Sequence, residues 1–177
     1  MSLRLNFACG GSQWPGWDNS DIHGDPGTTV VDMDVIPYPY ENGSASIIMV
    51  SHALFSRHMN PPNMPAIFGE WFRILEPGGW LRIDDNPIRC WQDGEHVDEG
   101  ERGNEADRGY PDDKKITREH LRGLLRAAGF RVEDVPQGET RIPCDEETKA
   151  AVLGNHLGHY SFTVEGHKAA AEGGDRL

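Results

Sequence analysis

Residues 6–11 read NFACGG, and they follow the short apolar run LRL at residues 3–5. Two adjacent glycines directly after a strand-like segment indicate that the backbone turns sharply or closely approaches another group. The stretch therefore predicts a first strand from Leu3 to Ala8 that ends in a tight turn. Which group this turn approaches depends on the strands that follow.

Further along the chain, strand-like and helix-like patterns alternate. Apolar and β-branched runs predict further strands at Trp17–Ile22, Thr28–Met33, Ser46–Ser51, Trp80–Asp84, Phe130–Val135 and Tyr160–Gly166. Apolar residues at helical spacing predict helices over Met64–Leu75 and Thr117–Ala128, with Gly129 as the residue that ends the second helix. This alternation is typical of an α/β domain with a mainly parallel sheet.

The first connection is short, because only about nine residues separate the first two predicted strands, whereas a crossover with a full helix needs at least about 10–12. The first helix is therefore expected to be a single turn or absent. Two polar segments, about 86–115 and 136–159, interrupt the pattern. The first is predicted to be a mobile lid carrying Trp91 and Tyr110, and the second to hold a short helix from Glu146 to Leu153. We expect one domain over residues 1–168 and a frayed tail over 169–177.

Composition restricts the possible partners and the compartment. The 177 residues carry a formal net charge of −12, and such a surface repels phosphate backbones and anionic lipid. The charge argues against double-stranded nucleic acid and membranes, and it favours a small molecule or another protein. No apolar run is long enough to span a membrane, and the first residues include too few apolar ones for a signal peptide. A cytoplasmic location is therefore expected.

The three cysteines, Cys9, Cys90 and Cys144, are far apart and form no C-x-x-C motif. They predict neither a disulfide framework nor a cysteine zinc site. Histidine pairs such as His52 and His58 lack a carboxylate at a useful spacing, so we predict no metal site.

Candidate binding residues stand where predicted strands end. In an open parallel sheet, ligands bind outside the carboxyl ends of the strands. The glycine turn at residues 8–11, Asp21, Asp34 and His52 all occupy such positions and are expected to converge on one crevice. A carboxylate at the end of the second strand can accept hydrogen bonds from a ribose diol, and one past the third strand can accept from an adenine amine.

Five motifs occur in a characteristic order along the chain. They are LNFACG at 5–10, GWDNSD at 16–21, DVIPYP at 34–39, SASIIMVSHALF at 44–55 and FRILEPGGWLRI at 72–83. Together they resemble the class I S-adenosylmethionine-dependent methyltransferases, in the small variety with a shortened first crossover. The resemblance implies a Rossmann-like, mainly parallel seven-stranded sheet with helices on both faces and an antiparallel last strand.

The same resemblance implies S-adenosylmethionine as the cofactor and methyl transfer to a small-molecule acceptor as the activity. The cofactor-binding residues that it implies are Asn6, Ala8, Cys9, Gly10, Asp21, Ile22, Asp34, Val35 and Ser51. His52 would line the pocket near the methyl group, and it is the candidate catalytic base if the acceptor must lose a proton. The acceptor and the oligomeric state are left open.

Three departures from the family pattern bear on activity. Ala8 stands where the family has the first glycine of its turn, so either the cofactor pocket is narrower or the backbone has a negative φ there. Ser46 replaces an aspartate, and Leu54-Phe55-Ser56 replaces a Leu-Glu-His sequence. These departures favour an alternative, a non-catalytic protein of this fold that binds the cofactor or a partner. Several candidates also have structural interpretations: Cys9 as a buried filler, Asp21 as a turn cap and His52 as a structural histidine.

Overall fold

The computed structural model describes residues 2–51, 53, 63–85, 90–92, 95–96, 116–133, 135–136, 138–154 and 162–170. The strands are β1 (Leu3–Phe7), β2 (Asp18–Asp21), β3 (Thr29–Val30), β4 (Ala45–Ser51), β5 (Leu75–Asp85), β6 (Cys90–Gln92), β7 (Glu95–His96), β8 (Ile116–Thr117), β9 (Arg131–Glu133) and β10 (Phe162–His167). The helices are α1 (Met64–Ile74), α2 (Arg118–Ala127) and α3 (Glu146–Gly154). None of these helices is long and apolar enough to cross a membrane.

Seven of the strands form one sheet in the order β3-β2-β1-β4-β5-β10-β9. The pairs from β3 to β5 are parallel, and β10 runs antiparallel to both β5 and β9. The predicted α/β fold, with its mainly parallel seven-stranded sheet and antiparallel last strand, is therefore confirmed. Strand order reverses at β1, which places the ends of β1, β2 and β4 at a topological switch point.

Residues alternate between the two faces of the sheet along β4. Ile48 and Val50 belong to a large apolar cluster with residues of α1 and α2, including Trp71 and Leu121. We call this side face one. The cluster on the opposite side, face two, consists of Trp17, Ile47, Met49, Ile142 and Val152 of α3. Helices therefore cover both faces, as the sequence predicts, because a strand buried on both sides needs a partner layer on each.

Residues 8–17, which join β1 to β2, contain no helix, and this confirms the prediction of a shortened crossover. Face two is covered instead by α3, which comes late in the chain. This helix confirms the short helix predicted within residues 136–159. Val152 of α3 packs in the same cluster as Trp17, and Arg4 Nη1 donates to Thr148 Oγ1 at 2.6 Å. A distant insertion thus covers apolar surface that a local crossover helix would otherwise cover.

The two longer helices follow the predicted pattern. Met64, Ile67 and Trp71 of α1 are almost completely buried, as expected for one apolar stripe at a period of 3.6 residues. After α2, Gly129 has a φ of +104°, the conformation that a glycine adopts most easily at a helix end. A Cβ atom at this position would lie 3.0 Å from the Phe72 ring, so the absence of a side chain at Gly129 also lets this ring pack closely against the backbone.

Three local predictions are wrong. β3 has two residues instead of six, because the chain turns away where the Asp34 N–H donates to the Asp32 carboxylate at 2.9 Å. β5 starts at Leu75, since Ala45 pairs with Leu75 and Ile47 with Trp80, and residues 76–79 form a bulge between these pairs. The segment 86–115 contains β6 and β7, which form a three-stranded sheet with β8, whereas the sequence predicted no regular elements there. Most of the predicted lid, including Tyr110, lies outside the described residues.

Candidate functional site

The turn after β1 meets the carboxylate at the end of β2. The Gly10 N–H donates to Asp21 Oδ2 at 3.0 Å, and the His23 N–H donates to Asp21 Oδ1 at 3.1 Å. This contact follows from the register, because Phe7 pairs with Ser20 and both strands end at the same edge. Asp21 is only 8% exposed, and a carboxylate has about four acceptor positions, of which hydrogen bonds from the described residues occupy two. The structure thus brings together two of the features that the sequence predicted to converge.

Two buried asparagines hold the loop beneath this turn. Asn6 Nδ2 donates to Asn19 Oδ1 at 3.0 Å and to the Ser12 carbonyl at 2.9 Å. Asn19 Oδ1 also accepts from the Trp14 N–H at 2.8 Å, and its amide donates back to the Trp14 and Trp17 carbonyls. Sequence reasoning missed Asn19, although it stands inside the GWDNSD motif. In the structure, Asn6 helps to hold the loop between β1 and β2 in position. Its contact with a cofactor stays a prediction.

The backbone of the turn adopts left-handed conformations at Ala8, with a φ of +54°, and at Gly10, with a φ of +49°. Of the two alternatives stated for Ala8, a narrower cofactor pocket or a negative φ, the negative φ is therefore wrong. The side chain of Ala8 packs against the face-one cluster, and this contact offsets part of the strain. A Cβ at Gly10 would meet nothing within 4 Å, so open space lies beside the turn.

Substitution of Ala8 by valine is expected to lower the free energy of unfolding by about 1 to 3 kcal/mol, because a β-branched residue is strained at positive φ. Replacement of Ala8 by glycine should change it by less than about 1 kcal/mol, since relief of strain offsets lost packing and greater unfolded-state entropy. Urea unfolding of the two variants measures both effects. Equal stability of the valine variant and the parent would contradict a left-handed Ala8.

The thiol of Cys9 lies in the same turn and is 7% exposed. Burial raises the pKa of this thiol, and the nearby Asp21 carboxylate adds to the increase. Because the nucleophilic form of cysteine is the thiolate, a raised pKa reduces reactivity at neutral pH. This environment supports the interpretation of Cys9 as a small buried filler in the turn.

The segment after β3 contributes the other predicted cofactor residues. Asp34 is half-buried, whereas Val35 is 63% exposed and Ile22, which follows β2, is 38% exposed. Tyr38 holds this segment, because its hydroxyl donates to the Met33 carbonyl at 2.7 Å and its N–H donates to Glu70 Oε1 of α1 at 2.8 Å. Sequence reasoning identified the DVIPYP motif but missed this role of Tyr38 and Glu70.

Ser51 ends β4 and is buried. Phe7 pairs with Val50, so Ser51 lies at the same edge of the sheet as the turn after β1. His52 and His58 lie outside the described residues, and the catalytic role of His52 stays a prediction. Within the described ranges, no three His, Cys, Asp or Glu side chains lie close enough to hold a metal ion.

A buried ionic network, which sequence reasoning missed, lies on face two next to Ser51. Arg82 Nε donates to Asp84 Oδ2 at 2.9 Å, and Arg82 Nη1 donates to Glu165 Oε1 at 2.6 Å. Thr163 donates to the other oxygen of Asp84. The three charged side chains are at most 1% exposed, and Asp84 is the register partner of Ser51. The network fixes β5 against β10 and forms a rigid support below the carboxyl ends of the strands.

No protein-family model and no curated protein sequence matches this chain. Solved structures do match. An S-adenosylmethionine-dependent methyltransferase from Mesorhizobium loti is 18% identical, with 94% of this chain and 91% of that chain covered and a TM-score of 0.57. The cyclase SpnF is 18% identical, with coverages of 96% and 76% and a TM-score of 0.57.

A third solved structure is geranyl diphosphate C-methyltransferase from Streptomyces coelicolor A3(2), in complex with Mg²⁺, geranyl diphosphate and S-adenosylhomocysteine. It is 11% identical, with 97% of this chain and 73% of that chain covered and a TM-score of 0.54. These likenesses agree with the strand order and the antiparallel β10. The protein therefore has the fold of the class I S-adenosylmethionine-dependent methyltransferases.

Proposed function

We propose that this protein transfers a methyl group from S-adenosylmethionine to a small-molecule acceptor. The observation that carries the proposal is the contact between the Gly10 N–H and the Asp21 carboxylate at the switch point of the sheet. It combines an exposed backbone turn with a carboxylate that has acceptor positions beyond the two that the described residues occupy. This combination suits a ligand that has both a chain to pass along the turn and a diol to be bound.

The chemistry of the residues at this edge suits S-adenosylmethionine. Open space beside Gly10 leaves room for the methionine part of the cofactor, and Asp21 can accept hydrogen bonds from the ribose hydroxyls. The exposed aliphatic side chains of Ile22 and Val35 provide apolar surface for a flat base, and Asp34 is the predicted acceptor for its amine. When bound, this cofactor supplies an electrophilic methyl group.

The main role of the protein in the reaction is to align the two reactants. The sulfonium already activates the methyl group, so the protein has to hold the acceptor in line with that methyl group. The turn and Asp21 would fix the cofactor, and His52 would accept a proton from an acceptor that has to lose one. A small-molecule acceptor is supported by the net charge of −12, which opposes nucleic acid. It is also supported by the likeness to the Streptomyces methyltransferase, whose structure contains the small molecule geranyl diphosphate.

A second candidate is a protein that binds the cofactor or a partner without methyl transfer. Ala8 favours it, because an alanine stands where the family pattern has a glycine. The likeness to SpnF, whose name describes a cyclase, is consistent with other activities on the same fold.

Titration calorimetry with S-adenosylmethionine and S-adenosylhomocysteine tests the proposal. We expect both to bind with dissociation constants in the micromolar range, about −8 kcal/mol at 1 μM. Adenosine and methionine, added separately, serve as matched controls and should bind far more weakly, because linking the two parts avoids a second loss of translational freedom. If neither cofactor form binds at about 1 mM, both candidates that use the cofactor fail, and only partner binding remains.

A further inference from the structure

A concave region lies on face two, away from the candidate cofactor site. It is an open cavity of about 360 Å³, and residues that line it include Arg4, Ile47, Glu76, Trp80, Ile142 and Asp145. Arg4 and Ile47 lie near the starts of β1 and β4, whereas Asp21 and Ser51 lie at the ends of their strands. We call this region the amino-end cavity. It shares no lining residue with the predicted cofactor site.

The indole of Trp80 gives this cavity a fixed aromatic wall. Trp80 stacks on His167 of β10, with ring centroids 4.7 Å apart and planes 28° from parallel. These residues are register partners on β5 and β10, so the sheet itself holds the stack in place. Ile47 and Ile142 add aliphatic surface. A flat apolar group is the shape that such walls accept.

Two carboxylates, Glu76 and Asp145, also line the cavity. Asp145 caps α3, since the Thr148 N–H donates to its Oδ1 at 2.7 Å, and hydrogen bonds from Thr148 hold the pKa of this carboxyl below its usual value. Glu76 Oε2 accepts from the Ser2 hydroxyl. The Asp145 carboxylate is therefore charged at neutral pH. Both carboxylates have acceptor positions that these two hydrogen bonds do not occupy.

The one basic group among these lining residues is already engaged by the protein. Arg4 Nη1 donates to Thr148 Oγ1 at 2.6 Å, and Arg4 Nη2 donates to the Gly16 carbonyl at 3.4 Å. Its guanidinium carbon lies 5.6 Å from the centroid of the Trp17 ring. Counted formally, Glu76 and Asp145 each contribute one negative charge and Arg4 contributes one positive charge. The residues that line the cavity therefore have a formal net charge of −1.

We propose that the amino-end cavity binds a small organic cation with a flat apolar body, of the arylalkylamine type. The apolar body would lie against Trp80 and the two isoleucines, and the ammonium group would lie between the carboxylates of Glu76 and Asp145. Opposite charge in a partly enclosed region and the electron-rich face of an indole both attract a cation. This site would serve a second ligand, separate from the cofactor and its acceptor.

The test uses three probes that share one indole body and differ in charge: tryptamine, L-tryptophan and indole-3-acetate. Amide chemical shifts of the ¹⁵N-labelled full chain report both binding and its location. We expect tryptamine to shift the amides of Glu76, Trp80 and Asp145 with a dissociation constant on the order of millimolar, as suits a probe of this size. L-tryptophan should bind more weakly, and indole-3-acetate should cause no shifts at these amides.

Variants of the two carboxylates sharpen the test. Glu76→Gln and Asp145→Asn keep the shape and the hydrogen-bonding oxygen of each side chain, and asparagine still caps a helix. Each is expected to weaken tryptamine binding about three- to tenfold, because one partly exposed charge is removed. The matched control Asp25→Asn changes an exposed acid elsewhere and should have no effect. Asp21→Ala should leave tryptamine binding unchanged, which separates this cavity from the cofactor site.

Three results would overturn the proposal. One is the absence of tryptamine shifts up to about 10 mM, well above the expected constant. Another is indole-3-acetate or L-tryptophan binding as tightly as tryptamine, which would show that Arg4 attracts a carboxylate instead. The third is shifts centred on the turn at Gly10, which would place the probe in the other site.

Discussion

Replacement of Arg82 by methionine is expected to lower the free energy of unfolding by about 3 to 5 kcal/mol. The guanidinium is completely buried between Asp84 and Glu165, and its removal leaves two carboxylates without a counter-charge. Methionine keeps much of the side-chain volume, so the loss reports the missing charge and hydrogen bonds more than a cavity. Urea unfolding followed by circular dichroism measures this loss. Because the expected loss is a large share of the stability of a typical domain, the variant should also express poorly.

The matched control for this variant is Arg126→Met. Arg126 pairs with Glu119 on the surface at 3.1 Å, and the two side chains are 50% and 66% exposed. Exposed pairs contribute about 0 to 1 kcal/mol, so the control should lose no more than that. Addition of Asp84→Asn and Glu165→Gln to the Arg82 variant should recover part of its stability, since no buried charge then remains. Equal losses for Arg82→Met and the control would contradict the network.

Replacement of Asp21 by alanine is expected to weaken cofactor binding by roughly one to three orders of magnitude. Two hydrogen bonds from ribose hydroxyls to a charged acceptor contribute about 1.5 to 3 kcal/mol each, and their losses need not add fully. The variant should also lose about 1 to 2 kcal/mol of unfolding free energy, because the Gly10 and His23 N–H groups lose their acceptor. Calorimetry and urea unfolding measure the two effects separately.

Asp25→Ala provides the control, since Asp25 is an exposed acid in the loop that follows β2, four residues after Asp21. It should change neither cofactor affinity nor stability by a measurable amount. Asp21→Asn should fall between the parent and Asp21→Ala, because the amide keeps one acceptor oxygen but loses the charge. If Asp21→Ala binds S-adenosylhomocysteine as the parent does, Asp21 does not contact the ribose, and its role is confined to holding the turn.

The sequence by itself determined the order and type of the main elements. Apolar residues at helical spacing predicted α1, and the continuous apolar run at residues 46–51 predicted β4. The short spacing after residue 8 predicted a crossover without a full helix. These features can be read locally, because periodicity and chain length act over a few neighbouring residues. The carboxyl-end positions of Gly10 and Asp21 followed from the same reading.

Only the tertiary structure decided which side chains meet. Arg82 and Glu165 are 83 positions apart, and their pairing depends on β5 and β10 becoming neighbours in one exact register. Likewise, α3 covers face two only because a distant insertion brings the chain back to this side of the sheet. Strand alternation assigns a residue to a face, but it carries no signal of which strand comes to lie beside it. The tertiary structure also decided the φ of +54° at Ala8, because the surrounding packing imposes a conformation that is unfavourable for an isolated alanine.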